Sequence, residues 1–320
     1  MLSVLIVIAV FVVAYSNGAN ANFKGVASLF GSGTTGYRTA VNWAALTTAA
    51  GAVCAMFLAA HLIKAFSGKG LVADALLADP AFFLSVAIGA ALTGSLATWL
   101  GFPVSTTHAL TGALVGAGLV ASPQGVDFSH LWKTFAVPLL FGPVVAILLG
   151  TVLYVVLRSL KLAPDHRTRT LDTLHFISAG AVCFARGMND TPKMAALLVG
   201  LSFGTGLNGI LLVTVAMTLG GLISARRVAE TLAHKITDMN PGQGFVANLT
   251  TSILVIAGSV YGLPLSTTHV SVGGLLGIGI VTRRARWRTV IPVLLAWLTT
   301  LPCAAAVAAL AYFICRAAAA

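Results

Sequence analysis

Two hydroxyl-rich runs in this chain have the residue types and spacing to bind an oxyanion. The run STTH occurs within FPVSTTH from Phe102 and again within LPLSTTH from Leu263. In each copy a proline followed by hydroxyl side chains predicts a helix start. A helix N-terminus carries unpaired N–H groups and partial positive charge, and hydroxyls donate hydrogen bonds, so both runs suit an anion. The predicted oxyanion ligands are Ser105, Thr106, Thr107, Ser266, Thr267 and Thr268.

The alternative for either run alone is that its hydroxyls bond to the backbone of their own helix. The two contexts match, however, because each run follows a proline and precedes glycine-rich apolar sequence. Glycines at these places permit close approach of a backbone. The repetition therefore favours one binding site to which both runs contribute.

Asparagines and one aspartate form a second repeated feature, in SNGANANFKG from Ser16 and ARGMNDTPK from Ala185. An amide or carboxylate left unpaired in hydrocarbon is costly, so each needs a partner. Their oxygens suit Na⁺ at an unwound helix break beside an anion, and interhelical hydrogen bonding alone is the alternative. The predicted coupling-ion ligands are Asn20, Asn22, Asn189 and Asp190, with Glu230 as a further candidate.

Several charged residues near these motifs have two interpretations. Lys24 and Lys193 each follow a motif asparagine by one helical turn, and they either attract an anion or extend to the membrane interface. Arg186 is either an interface anchor or part of a gating ion pair. Glu230 either couples an ion or pairs with a basic residue nearby. The basic residues near Glu230 are Arg226, Arg227 and Lys235.

The histidines that end the STTH runs, His108 and His269, lack cysteine or carboxylate at metal-ligand spacing. Hydrogen bonding or packing is therefore favoured over metal binding, with proton relay left open. An intramembrane enzyme is disfavoured because no acid lies within sequence reach to orient either histidine. Four cysteines occur singly in apolar segments, which predicts neither a disulfide framework nor a metal site.

The composition indicates an integral membrane protein. Of 320 residues, 58% are apolar and 8% charged, against roughly 25% charged in soluble domains. Recurrent apolar runs favour spanning helices over a barrel. The net charge of +11 lies mostly in short loops, which the positive-inside rule places in the cytoplasm, so nucleic-acid binding is not indicated. We expect a multi-pass protein of the cell (inner) membrane.

The apolar segments and the interrupted pieces between them outline the helices. The first 15 residues lack the basic start and cleavage site of a signal peptide, which predicts a retained helix. The predicted spans are about 1–16, 41–66, 81–101, 131–157, 172–186, 207–224, 244–261 and 286–315. Half-helices or re-entrant hairpins are predicted at about 18–33, 103–120, 187–203 and 264–281.

The spacing of the motifs predicts an internal duplication. The serines of the STTH runs lie 161 positions apart (266 − 105), and Asn20 and Asn189 lie 169 apart (189 − 20). Paired interrupted segments at matching positions are a pointer to a transporter's binding site. We divide the chain into a first repeat, 1–158, a basic linker, 159–171, and a second repeat, 172–320. The repeats are inverted if each crosses the membrane an odd number of times, which loop charge does not settle.

The motifs and their order resemble the PiT family of inorganic phosphate transporters, whose halves each carry GxND followed by [LF]P[VLI]STTH. Here the second half has GMND from Gly187 with LPLSTTH, and the first has GANA from Gly18 with FPVSTTH. The resemblance covers nearly the whole chain. It implies an all-α polytopic membrane protein with two homologous inverted repeats, broken helices and re-entrant hairpins, in about twelve helical elements.

The resemblance also implies a function. It is secondary active transport of inorganic phosphate by alternating access, coupled to Na⁺ or H⁺, with no enzymatic activity and no cofactor. The oxyanion would bind at mid-membrane between the repeats, with Asn20, Asn189 and Asp190 beside the two STT runs. Sulfate, which similar proteins move, and an uncoupled anion channel are the alternatives. A homodimer is what the family suggests.

One position departs from the family pattern, because Ala21 stands where the first-half motif has aspartate. Loss of a carboxylate should weaken a Na⁺ site and reduce the repulsion of a divalent anion. The coupling stoichiometry therefore stays open, including a mechanism with Asp190 as the one carboxylate and H⁺ as the coupling ion.

Overall fold

The computed structural model describes residues 2–161, 168–201, 206–234 and 240–319. Among these, seven helices are long and apolar enough to cross a membrane, which confirms the prediction of a multi-pass α-helical protein. The helices are α1 Leu2–Ala21, α2 Ala27–Gly31, α3 Tyr37–Leu58, α4 Ala60–Phe66, α5 Pro80–Leu100, α6 Thr106–Ala121, α7 Phe128–Ser159, α8 Arg169–Ala195, α9 Leu207–Ser224, α10 Arg226–His234, α11 Pro241–Val260, α12 Thr267–Val281 and α13 Trp287–Ala319. Part of the predicted linker, 162–167, and Lys235 lie outside the described residues.

Local sequence signals fix the ends of the helices that lead to the motifs. Before α5, the Asp79 carboxylate accepts the N–H two residues later, and Pro80 occupies the first helical position. Gly101 ends α5 with a left-handed φ of 78°, a conformation that glycine adopts without steric cost. Asn240 and Gln243 form a capping box at the start of α11. The two helices end at Leu100 and Val260, two or three residues before FPVSTTH and LPLSTTH begin.

Long helices of each repeat pack against long helices of the other repeat. In chain order α1, α3, α5, α6 and α7 of the first repeat correspond to α8, α9, α11, α12 and α13 of the second. Helix α1 packs along α9 while α8 packs along α3, and α6 packs along α13 while α12 packs along α7. Each of these contacts therefore has its counterpart with the repeats interchanged, as a two-fold relation requires.

The order of elements is the one expected for inverted repeats. Each repeat contributes three single long helices and one pair, α5–α6 or α11–α12. The pair adds an even number of crossings whether it spans fully or turns back, so with one crossing for each single long helix a repeat crosses an odd number of times, as inversion requires. Helix α8 is not among the seven candidate spans. By the same count, the described basic residues Arg158, Arg226 and Arg283 lie on one side of the protein.

The glycine-rich faces of α6 and α12 permit close helix contact. A Cβ at Gly112 or Gly116 would collide with backbone carbonyls of α13, and one at Gly273 or Gly277 would meet carbonyls of α7. Small residues allow such close crossings in membrane proteins. The close backbone approach expected from these glycines is thus an approach between helices.

The predicted interruption at 187–203 begins later than expected. Helix α8 continues through the second asparagine motif to Ala195, and only Ala196–Leu198 are 3-10 helical. In the first repeat α1 ends at Ala21, followed by the 3-10 turn Asn22–Lys24. Ion pairs of Asp190 with residues four positions before and three after it suit a continuous helix in the second repeat. The first repeat has no acid at the equivalent position 21.

Candidate functional site

The two STTH runs start helices, as predicted. Ser105 precedes α6 and its hydroxyl accepts the N–H of His108 at 3.2 Å. Ser266 precedes α12 and accepts the N–H of His269 at 3.2 Å. Both serines are buried. Each repeat therefore has a buried helix N-terminus at its STTH run, where a partial positive charge is expected.

The third hydroxyl of the first run reaches the other repeat. Thr107 Oγ1 donates to the carbonyl oxygen of Leu265 at 3.1 Å. Lys193 Nζ donates to Thr107 Oγ1 at 2.8 Å and to the Leu265 carbonyl at 2.8 Å. A lysine of the second repeat thus contacts the STT run of the first.

The second run makes the same contacts with the repeats exchanged. Thr268 Oγ1 donates to the carbonyl oxygen of Val104 at 2.8 Å. Lys24 Nζ donates to the Val104 carbonyl at 2.9 Å and also to Thr268 Oγ1. These reciprocal hydrogen bonds bring the two runs together between the repeats.

The lysines lie at the centre of the protein and not at the membrane interface. Lys24 is 6% exposed and Lys193 is fully buried. The interface interpretation of both residues is therefore wrong. It fails because the ammonium groups find hydroxyl and carbonyl acceptors inside the protein, so they need no water.

One buried carboxylate belongs to this centre. Asp190 Oδ1 accepts from Asn189 Nδ2 at 3.0 Å and lies 3.4 Å from Lys193 Nζ. Asp190 Oδ2 accepts from Asn17 Nδ2 at 3.1 Å and lies 3.7 Å from Arg186 Nε. Both oxygens are thus held by amides and cations.

Arg186 is buried in the same centre, with 1% exposure. Its guanidinium donates to Asn17 Oδ1 at 2.8 Å, to Asn22 Oδ1 at 3.2 Å and to Thr48 Oγ1 at 3.1 Å. Of its two predicted roles, the structure supports the ion pair and contradicts the interface anchor.

Asn20 holds the segment that leads into α6. Its amide nitrogen donates to the carbonyl of Phe102 at 2.9 Å and to Thr98 Oγ1 at 3.1 Å, and its oxygen accepts the N–H of Val104 at 3.0 Å. Asn20 therefore positions the first STT run as well as lying near it.

Asn189 does the same in the second repeat. Its amide nitrogen donates to the Leu265 carbonyl at 3.2 Å, and its oxygen accepts from Ser259 Oγ at 3.2 Å. Ser259 and Thr98 are 161 positions apart (259 − 98), the spacing of the STTH runs. This spacing could have identified the two hydroxyls as a pair, although sequence reasoning missed them.

Asn17 was also missed as a site residue. Its amide nitrogen donates to Thr106 Oγ1 at 2.8 Å in addition to Asp190. It lies 169 positions before Arg186 (186 − 17), which is the spacing of the asparagine motifs. The remaining predicted oxyanion ligand, Thr267, is buried at the start of α12.

The two histidines pack together where α6 and α12 begin. The ring centroids of His108 and His269 are 4.4 Å apart, and His269 stacks on Trp297 at 3.8 Å. His108 Nδ1 lies 3.1 Å from Ser105 Oγ. No metal-ligand cluster occurs among the described residues. Packing and hydrogen bonding match the roles favoured from the sequence.

Glu230 lies away from the buried centre. It is exposed on α10 and pairs with Arg226 at 3.4 Å, in agreement with the loop pairing. Both line a cavity of about 550 Å³ that also reaches Ser16 and Thr98. A second cavity, of about 10 Å³, shares Ser16 and contacts Asn17, Asn20 and Thr106. Polar residues thus lead from the large cavity to the first STT run.

The buried centre has an excess of positive charge. Lys24, Lys193 and Arg186 are three cations and Asp190 is one anion, which leaves a net charge of +2 when all are ionised. Uncompensated charge inside a membrane protein is costly and marks pathways for substrates and ions. An anion with two negative charges would balance this centre.

Comparison with known proteins gives consistent matches. A model of the phosphate transporter family matches residues 17–171 and again 163–308. A probable low-affinity inorganic phosphate transporter of Rhizobium meliloti is 30% identical over 97% of this chain and 95% of its own length. One from Bacillus subtilis is 27% identical over 98% and 97%. A solved structure, the sodium-dependent phosphate transporter, has a TM-score of 0.86 over 99% of both chains at 22% identity.

Proposed function

Because the chain belongs to the phosphate transporter family, we propose that it moves inorganic phosphate across the membrane by cation-coupled, secondary active transport. The family match confirms the resemblance drawn from the motifs and the expectation of a transporter instead of an enzyme. Na⁺ and H⁺ are the two candidate coupling ions.

The observation that carries the proposal is three buried basic side chains and one buried carboxylate beside two buried helix N-termini. Hydrogen phosphate carries two negative charges at neutral pH and would neutralise this centre. At low dielectric constant, unbalanced charges interact strongly, so the match of charge favours binding of a divalent oxyanion.

The proposed site lies at the junction of the two STT runs. Phosphate would approach the lysine ammonium groups and the threonine hydroxyls, which meet at the Val104 and Leu265 carbonyls. The proposed phosphate ligands are Ser105, Thr106, Thr107, Ser266, Thr267, Thr268, Asn20, Asn189 and Asp190. Lys24 and Lys193 join them, because their ammonium groups contact the Thr268 and Thr107 hydroxyls. Asn20, Asn22, Asn189 and Asp190 remain the oxygens proposed for a coupling ion.

Asp190 favours phosphate over sulfate in this proposal. A carboxylate only accepts hydrogen bonds, and hydrogen phosphate has an O–H to give it. Sulfate has no proton near neutral pH, so its oxygens would face the carboxylate with repulsion alone. Selectivity would thus come from the acid and affinity from the cations.

The cavity of about 550 Å³ is the proposed route between the site and the side that carries the basic stretches. Its lining includes Thr98, which binds Asn20, and Arg227, which donates to the Trp99 carbonyl at 2.8 Å. Alternating access would open this route and the equivalent one of the other repeat in turn.

Uptake of radiolabelled phosphate into proteoliposomes tests the function. We expect saturable uptake with a Na⁺ or pH gradient, stimulated by unlabelled phosphate inside the vesicles. A carrier shows this stimulation and a simple pore does not. Absence of saturable uptake under every gradient would contradict the proposal. Equal inhibition by sulfate and phosphate would indicate the broader oxyanion specificity.

A further inference from the structure

We propose that Lys24, Lys193 and Arg186 are tethered cations which hold the oxygens that a coupling Na⁺ would need, so that this chain carries phosphate without Na⁺. The inference rests on the proposed function and narrows its coupling. It starts from the oxygen atoms that the sequence predicted as Na⁺ ligands and from their partners in the structure.

The side-chain oxygens of the four predicted Na⁺ ligands Asn20, Asn22, Asn189 and Asp190 already accept hydrogen bonds from donors within the protein. Asn22 Oδ1 accepts from the Arg186 guanidinium, and Asn20 Oδ1 accepts a backbone N–H. Asn189 Oδ1 accepts from a serine hydroxyl, and both oxygens of Asp190 face amides and cations. A bound Na⁺ would have to displace these donors and approach three fixed positive charges.

The Lys193 ammonium group is the clearest example of a tethered cation at a place suited to Na⁺. Its ammonium group lies 2.8 Å from the Leu265 carbonyl, 2.8 Å from Thr107 Oγ1 and 3.4 Å from Asp190 Oδ1. A carbonyl, a hydroxyl and a carboxylate are the hard oxygens that small cations select. An ammonium group has three donors and is a compact point charge, so it satisfies all three oxygens.

The equivalent position in the first repeat lacks the acid. Lys24 contacts the Val104 carbonyl and the Thr268 hydroxyl, and residue 21 is alanine where the second repeat has Asp190. A cation tethered to the chain needs no carboxylate to hold it there, whereas the affinity for a free cation falls when ligand charge is lost. The chain thus keeps a cation at a place that would bind Na⁺ poorly.

The asymmetry between the lysines supplies matched variants. Lys193→Met leaves a carbonyl, a hydroxyl and the Asp190 carboxylate, which is a ligand set for Na⁺. Lys24→Met leaves only a carbonyl and a hydroxyl. The double variant Ala21→Asp with Lys24→Met adds the missing carboxylate to the first repeat.

The first measurement is thermal unfolding of the purified protein in NaCl and in choline chloride at equal ionic strength. We expect no difference for the wild type and for Lys24→Met. We expect Na⁺ to raise the Tm by about 2–4 °C in Lys193→Met and in the double variant. The double variant decides the matter if Lys193→Met does not fold. A Na⁺ shift in the wild type, or none in either carboxylate-bearing variant, would overturn the inference.

The second measurement is phosphate exchange across proteoliposomes with equal phosphate on both sides. We expect wild-type exchange rates in Na⁺ and in choline that agree within about twofold, while Lys193→Met requires Na⁺ for exchange. A tenfold or greater loss of wild-type exchange in choline would contradict the tethered cations and leave phosphate transport intact. Absence of exchange in both media would contradict the proposed function, and the thermal comparison would still decide on Na⁺.

Discussion

The two repeats have the same backbone contacts but different charges. Thr107 and Thr268 each donate to a carbonyl of the opposite repeat, and Lys193 and Lys24 each contact that pair. Arg186 and Asp190 of the second repeat, however, correspond to Asn17 and Ala21 of the first. The hydrogen-bonding frame is therefore symmetric, whereas the buried ion pairs of Asp190 with Arg186 and Lys193 lie within the second repeat.

This difference separates binding of the proposed anion, to which both repeats contribute, from ordering of the polar side chains, which depends on the second repeat. The shared threonines, asparagines and helix N-termini surround the proposed anion from both sides. The Arg186–Asp190 pair, at 3.7 Å, holds Asn17 and Asn22 of the first repeat as well. One repeat thus supplies the charges that order the polar side chains of both.

Replacing the acid should break the comparison most severely. Asp190→Ala leaves three buried cations without an anion, and loss of one partner of a buried pair costs about 3–5 kcal/mol. We expect little folded protein, measured by yield and by Tm. If the first repeat can take over the role, Ala21→Asp added to Asp190→Ala will recover part of the Tm. A single variant with wild-type Tm would contradict the importance of the pair.

The two threonines should respond unequally. Thr107→Ala and Thr268→Ala each remove a hydrogen-bond donor, which corresponds to about 1 kcal/mol, or roughly fivefold in apparent phosphate affinity. Without the Thr268 hydroxyl, Lys24 keeps one protein acceptor, whereas without the Thr107 hydroxyl Lys193 keeps two. Lys24 is then the less firmly positioned cation, so we expect the larger loss of phosphate affinity for Thr268→Ala. Uptake kinetics measure both variants. The controls are Thr107→Ser and Thr268→Ser, and unchanged affinity in both alanine variants would contradict the site.

An acid in the first repeat should sharpen the comparison. Ala21→Asp lowers the net charge of the centre from +2 to +1, and the lost attraction corresponds to about 1 kcal/mol at partly screened distances. We expect weaker phosphate binding, by up to about fivefold, with a raised Tm because Lys24 gains a partner. Ala21→Asn is the neutral control of similar size. Tighter phosphate binding by the aspartate variant would contradict the charge argument.

The smallest effect is expected at the exposed pair of Arg226 and Glu230. It has the same spacing of four residues as Arg186 and Asp190, but its side chains are 79% and 55% exposed. Solvent and salt screen such pairs, so Glu230→Gln should change the free energy of unfolding by less than about 0.5 kcal/mol. Phosphate uptake by this variant should match the wild type. Loss of uptake would return Glu230 to the candidate coupling residues.

Sequence reasoning succeeded where a residue's role depends on local chemistry. The serine caps of α6 and α12 follow from proline and hydroxyl spacing, and the duplication follows from matching offsets. It failed where depth and direction decide. Lys24 and Lys193 have side chains long enough to reach either water or the protein centre, and sequence spacing does not distinguish these endpoints.

The sequence also did not predict that the second asparagine motif lies within a continuous helix. Asparagines and Pro192 together indicate a helix break, yet α8 continues to Ala195. The outcome depends on whether Asp190 pairs along its own helix or with another one, which is a matter of tertiary contacts. Asn17, Thr98 and Ser259 were within reach, because both motif spacings point to them.

The packing of helices of one repeat against helices of the other has a consequence for biosynthesis. Helix α6 packs along α13, and α13 ends the described chain. During synthesis at the ribosome, α6 is therefore made long before its packing partner α13. The surface of α6 that packs on α13 therefore stays without this partner until α13 has been made.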